Sequence, residues 1–89
     1  MMKRFFRKVR RWLRRESLTY VPQEVTPEDM ARIIDTREPH GLFYRKAGRR
    51  LYVGVDNASG DAWTEEFRSL RKCKRWLRNP NLTPEGEEL

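Results

Sequence analysis

Apolar residues recur along the chain with two different periods, and the change between them separates predicted helices from predicted strands. In the first fifteen residues the spacing is helical, which predicts an amphipathic helix from about Lys3 to about Glu16. The apolar stripe of this helix contains Met2, Phe5, Phe6, Val9, Trp12 and Leu13. After a connector over residues 17–24, a second helix is predicted: Thr26 can cap it, Pro27 suits its first position and Pro39 ends it.

From Gly41 the apolar period becomes two, which predicts strands joined by tight turns. The predicted strands are Leu42–Arg45, Leu51–Asp56 and Ala62 to about Glu66. The first turn, residues 46–48, should place Gly48 at a position that needs a positive φ. Residues 57–60 have the composition of a second turn. Ser69 then caps a last helix that ends near Arg78, with inward positions at Leu70, Cys73, Trp76 and Leu77.

These elements predict an α+β fold: two N-terminal helices, then a three-stranded antiparallel meander packed against a C-terminal helix. We expect one core drawn from the sheet and the last helix: Leu51, Val53, Val55, Phe67, Leu70, Cys73 and Leu77. The predicted organisation is a basic amphipathic helix in 1–16, a connector and short helix in 17–40, a sheet-plus-helix domain in 41–79 and a flexible acidic tail in 80–89. A chain of 89 residues has room for one small domain.

Charge alternates in sign along the chain, and its balance is strongly basic. Twenty Lys and Arg residues face thirteen Asp and Glu residues, and a net charge of +7 favours polyanions or anionic membranes as partners. The cations concentrate in residues 1–15, at the predicted hairpin and on the last helix. If folding gathers these segments on one side, they form a phosphate-binding surface. The candidate nucleic-acid-binding residues are Arg7, Arg10, Arg11, Arg14, Arg45, Arg49, Arg50, Arg71 and Arg75.

The N-terminal helix leaves several partners open. Its arginines can neutralise phosphates, while its apolar stripe can insert among anionic lipid headgroups. Alternatively, Phe5, Val9 and Trp12 can engage another protein, in which case the chain is a protein-interaction module. The stripe can also pack on the chain's own core, leaving only the charges exposed.

Residue types that carry catalysis or bind metals are sparse. The single cysteine, Cys73, excludes an internal disulfide framework and a cysteine-rich metal site, and its apolar helix face favours a buried structural thiol. His40 is the only histidine and has no second ligand nearby. We therefore expect a protein that is not an enzyme, with no cofactor and no metal. With one cysteine, a reducing cytoplasm is the expected compartment. No apolar run reaches the length of a membrane span.

Part of the second half resembles a known group of sequences. The resemblance is carried by Tyr52–Asn57, by Gly60–Phe67, and by Cys73 with Trp76 and Leu77. These residues resemble a family of short uncharacterised proteins from phages and prophages of Gram-positive bacteria. The resemblance spans roughly residues 41–79 and implies a mobile-element accessory protein, with no established activity or site. In that context, the protein that Phe5, Val9 and Trp12 would engage is a host or phage protein.

The order of predicted elements is also similar to two DNA-binding modules. These are the plant ethylene-response domain and the N-terminal arm-binding domain of tyrosine recombinases, which lay an exposed sheet face in the major groove. The similarity implies that Arg45, Arg49, Arg50 and Tyr52 lie near DNA. The chain departs from that pattern by carrying acids in the second turn and third strand: Asp56, Asp61, Glu65 and Glu66.

Overall fold

A computed structural model describes residues 20–79, which form a mixed sheet with a helix on each face. The elements in chain order are β1 (Gln23–Glu24), α1 (Pro27–Thr36), β2 (Leu42–Gly48), β3 (Leu51–Asp56), β4 (Trp63–Phe67) and α2 (Leu70–Arg78). The strands lie in the order β1-β2-β3-β4, with β1 parallel to β2 and the other neighbours antiparallel. The predicted α+β class is confirmed.

The sheet has one strand more than the predicted meander. Strand β1 lies in the segment predicted as a connector, where Gln23 pairs with Phe43 and Glu24 with Tyr44. The Val25 amide continues the pairing by donating to the Tyr44 carbonyl at 2.9 Å. Two residues are too few to show a period of two, so the sequence pattern gives no sign of this strand. The helix predicted over residues 3–16, which would be the first of two N-terminal helices, and the tail 80–89 lie outside the described residues.

Helix α1 begins as its sequence predicts. The Thr26 hydroxyl oxygen accepts a hydrogen bond from the Asp29 amide at 3.1 Å, and Pro27 occupies the first position of the helix. The helix ends at Arg37, whose backbone has the left-handed conformation at φ 64° and donates to the Ile33 carbonyl at 2.8 Å. The Arg37 guanidinium also donates to the carbonyls of Gly60 and Asp61, at 3.3 and 3.0 Å, and so ties the end of α1 to the β3–β4 loop.

The β2–β3 hairpin turns later than predicted. Strand β2 extends to Gly48, and residues 49–50 make the turn. A register irregularity between Lys46 and Gly48 accommodates Ala47, as a β-bulge does. The expected positive φ at Gly48 is wrong, since the glycines of residues 20–79 with positive φ are Gly41 and Gly60. The later turn puts Arg49 and Arg50 at the tip of the hairpin.

The two helices pack on opposite faces of the sheet, and each buries its own core. On the α1 face, Met30 and Ile33 pack against Phe43 and Val55. The buried residues of the α2 face are Leu42, Phe67, Cys73, Trp76 and Leu77. The expectation of one core is therefore wrong, because Val53 and Val55 point away from α2.

Gly54 explains why α2 packs on the face of β3 opposite to the one that carries its apolar residues Leu51, Val53 and Val55. It points toward α2 between Tyr52 and Asp56, and a Cβ atom there would lie 2.9 Å from the Cys73 Sγ. The same Cβ would lie 3.5 Å from the Trp76 ring. The missing side chain makes room for the helix, which buries Cys73, Trp76 and Leu77 as predicted and leaves Leu70 half-buried.

Candidate nucleic-acid interface

The two helices carry opposite charge. Helix α1 has three carboxylates and one arginine: Glu28, Asp29, Asp35 and Arg32. Helix α2 has five cations and no acid: Arg71, Lys72, Lys74, Arg75 and Arg78. Since the helices lie on opposite faces of the sheet, this part of the molecule has an acidic side and a basic side.

The hairpin tip and the start of α2 meet at one end of the sheet. Tyr52 pairs with Phe67, so the turn that precedes β3 lies beside the residues that lead from β4 into α2. Arg50 and Arg68 accordingly line the same groove. We use the term basic end for the cations in the hairpin turn, the β4–α2 junction and the first turn of α2. Its members are Arg49, Arg50, Arg68, Arg71 and Lys72.

The cations of the basic end form no ion pair within residues 20–79. All five side chains are exposed. The ion pair formed within this range joins Arg32 to Asp29 on the other helix. Glu66 cannot bridge to α2, because it pairs across the sheet with Val53 and points to the α1 face. Within the described residues, the cations of the basic end are therefore exposed and unpaired.

Lys74 extends the basic side along α2 toward β2. Its ammonium lies 5.1 Å from the centre of the Tyr44 ring, a cation–π contact that holds one flank of α2 over β2. Arg71 and Arg78 lie three residues before and four after Lys74, so helical spacing places them on the same flank. Arg75 projects to solvent from the same helix.

The structure brings four of the described candidate residues together and separates the fifth. Arg49, Arg50 and Arg71 belong to the basic end, and Arg75 lies one turn further along α2. Arg45 lies on the α1 face, where it is half-buried and its guanidinium donates to the Lys46 carbonyl at 3.4 Å. Outside the described residues lie Arg7, Arg10, Arg11 and Arg14, together with the partner-binding candidates Phe5, Val9 and Trp12.

The sheet face implied by the similarity to DNA-binding domains is not available as a single surface. Arg45 points to the α1 face, whereas Tyr52 points to the α2 face and packs in its core. Helix α1 also occupies part of the face that those domains leave open, with Met30 and Ile33 against the sheet. Cations for an anionic partner therefore come from the end of the sheet and from α2.

A groove of about 350 Å³ at the basic end does not follow from the sequence pattern. It is lined by Arg50, Leu51, Glu66, Phe67 and Arg68. In the sequence, Arg68 stands out only as a member of a charge block, and Glu66 only as one of the acids that depart from the DNA-binding pattern. Their convergence with Arg50 depends on the β3–β4 register, and no local pattern in the sequence signals it.

The thiol and the imidazole of the described residues lie elsewhere. Cys73 is fully buried, as expected, and burial raises the pKa of its thiol to about 12, so the reactive thiolate is suppressed. His40 is exposed in the α1–β2 loop beside Gly60. Neither side chain lies at the basic end.

Among residues 20–79, neither helix has the length and apolar character needed to cross a bilayer. Comparisons with protein-family models, curated protein sequences and solved structures find no match. The functional interpretation of this chain therefore depends on the arrangement of its own charged residues.

Proposed function

We propose that this chain is a small, non-catalytic protein that binds nucleic acid mainly through phosphate contacts. The observation that carries the proposal is the basic end, where five exposed cations from separate segments meet without an ion pair inside residues 20–79. Four of the five are arginines, whose guanidinium groups contact phosphate oxygens in pairs. An accessory protein of a mobile element, acting in the cytoplasm, is the context we propose for it.

The charge separation across the sheet gives the bound molecule an orientation. The outer surface of α2 and the basic end face the polyanion, while the acidic helix α1 faces away from it. The helix predicted over residues 3–16 would add eight further cations to the contact. Each phosphate neutralised releases counterions, so binding should weaken steeply as salt rises.

Titration of the full chain against a labelled duplex and a labelled single strand of equal length tests the proposal. We expect binding at low salt and a linear decrease of log K with log salt concentration, with a slope of about −0.9 per phosphate contact on duplex and about −0.7 on single strand. Arg71→Gln should reduce the slope. Arg32→Gln is the matched control, because Arg32 is paired with Asp29 on the opposite face.

Two results would contradict the proposal: no binding to either nucleic acid at low salt, or binding whose strength does not change with salt. Anionic vesicles provide a competitor in the same assay. If vesicles displace the nucleic acid and bind the chain more tightly than the duplex and the single strand do, the basic surface is a membrane contact instead.

A further inference from the structure

We infer that the groove at the basic end holds one unpaired guanine nucleotide of a bound single strand. This inference rests on the proposed function and names the ligand at one part of that surface. The groove has a volume of about 350 Å³ and is lined by three charged and two apolar residues. This volume lies at the lower end of the range of about 300–1,000 Å³ that small-ligand sites span.

The charged residues of the groove are available to a ligand. Arg50, Glu66 and Arg68 line the same space, yet Glu66 forms no ion pair with either arginine among the described residues. A ligand that pairs with all three side chains must carry negative charge for the two guanidinium groups and N–H donors for the carboxylate. A bare phosphate meets only the first requirement and is repelled by Glu66. A nucleotide meets both.

The hydrogen-bonding edge of guanine is the best match for a single carboxylate. Guanine presents two adjacent donors, N1–H and the N2 amino group, which can point at the two oxygens of Glu66 together. Adenine and cytosine place a ring-nitrogen acceptor beside their amino group, and thymine flanks its one N–H with two carbonyl oxygens. These acceptors would face the carboxylate and repel it. The donors of guanine are occupied in a duplex, so the base must be unpaired.

The surroundings of the groove suit a single strand passing across the end of the sheet. Strand β4 is an edge strand within residues 20–79, so the groove is open along the outer side of the sheet. The half-buried Leu51 supplies apolar surface for the base, whereas the other apolar residue of the lining, Phe67, is buried in the core of the α2 face. Arg49 adjoins Arg50 in the turn and Arg71 follows Arg68 by three residues, so two further exposed arginines adjoin the lining residues and can contact the flanking phosphates.

Fluorescence anisotropy with the full chain tests this inference. The probes are three single strands of equal length: all thymine, thymine with one central guanine, and thymine with one central inosine, which lacks the N2 amino group. We expect the guanine strand to bind at least about fivefold more tightly than the thymine strand, with inosine in between. Glu66→Gln should abolish the preference without weakening binding to the thymine strand, because it removes a negative charge from the surface.

The controls separate this inference from the proposed function. Glu28→Gln removes an exposed carboxylate from α1 and should keep the guanine preference. Equal binding of the guanine and thymine strands by the unmodified chain, or a preference that survives Glu66→Gln, would overturn the groove assignment and leave the proposed function standing. Absence of binding to all three strands at low salt would overturn both.

Discussion

Gly54 is the residue that sets the distance between the sheet and α2. Any side chain there meets Cys73, since a Cβ atom would lie 2.9 Å from the buried Sγ. We expect Gly54→Ala to reduce the free energy of unfolding by about 1–3 kcal/mol, the usual cost of overpacking a tight core. Urea unfolding monitored by tryptophan fluorescence measures it.

A double-mutant cycle identifies the cause of that cost. Cys73→Ala removes the sulfur atom, so the loss in Gly54→Ala/Cys73→Ala should be smaller than the sum of the two single losses by about 0.5 kcal/mol or more. Strict additivity would mean that the clash with Cys73 is not what Gly54 avoids. Ala47, half-buried in β2, gives a control position at which Ala47→Gly should show no coupling to Cys73→Ala.

Cys73 should also make the fold sensitive to alkaline pH. Burial raises the pKa of its thiol from the ordinary 9.0 to about 12. Between pH 9 and pH 12 this thiol is ionised in the unfolded chain and protonated in the folded chain. The contribution of Cys73 to the free energy of unfolding is therefore fully present below pH 9 and is lost as pH rises toward 12. The free energy of unfolding should decrease there by as much as about 1.4 kcal/mol per pH unit.

The Cys73→Ala variant isolates this contribution. Unfolding in urea at several pH values above 9 should show a shallower decrease in the variant than in the unmodified chain. Identical slopes would show that other groups dominate the alkaline transition.

At the scale of elements, the two helices use their first turns differently. In α1, Glu28 and Asp29 lie at the positive end of the helix dipole and stabilise it. In α2, the Ser69 hydroxyl accepts from the Lys72 amide at 3.2 Å, but the first turn carries cations and no acid. The cap is thus retained while the charge opposes the dipole, which is expected if the cations serve binding.

Lys72→Glu should separate stability from function at this position. It places Glu three residues after Ser69, which creates a capping box and favourable dipole charge, so the free energy of unfolding should rise by about 0.3–1 kcal/mol. The same change should weaken nucleic-acid binding and reduce its salt slope. Glu28→Lys is the matched control in α1, and it should lower stability without weakening binding. A destabilised Lys72→Glu variant would contradict this account of α2.

The limits of prediction from the sequence also appear at the scale of elements. Strand β3 and the cap residues of both helices follow from local signals, an apolar period of two and side chains that bond the first free amides. Strand β1 forms by pairing with the free edge of β2. Helix α2 packs on the face of the sheet where Gly54 leaves space for it. Both are set by contacts between distant segments, which no local pattern records.

The same distinction applies to the candidate interface. The charge blocks at the hairpin and on the last helix are visible in the sequence, and four of their candidate residues do lie together. Strand register and the position of the turn decide two further features. Arg45 points to the α1 face, and Glu66 lines a groove with Arg50 and Arg68. A shift of one residue in register reverses every side chain of a strand, so composition alone cannot decide these positions.

At the scale of the whole molecule, the question is how binding is shared between the basic end and the N-terminal segment. Two sets of four arginine-to-glutamine changes remove equal charge: Arg7, Arg10, Arg11 and Arg14 in one, and Arg49, Arg50, Arg68 and Arg71 in the other. If both surfaces bind phosphates, each set should reduce the salt slope on single strands, by about 0.7 for every phosphate that is no longer neutralised.

We expect the basic-end set to reduce the slope by about 2 or more, because its four arginines are exposed and form no ion pair within residues 20–79. The decrease in slope from combining the sets should be close to the sum of the two separate decreases, since the cations act on different phosphates. An N-terminal set that removes the whole slope, with no change from the basic-end set, would assign binding to residues 1–15 alone. In that case the folded part would serve only to carry the basic segment, and the charge separation between α1 and α2 would have no role in orienting the chain on the nucleic acid.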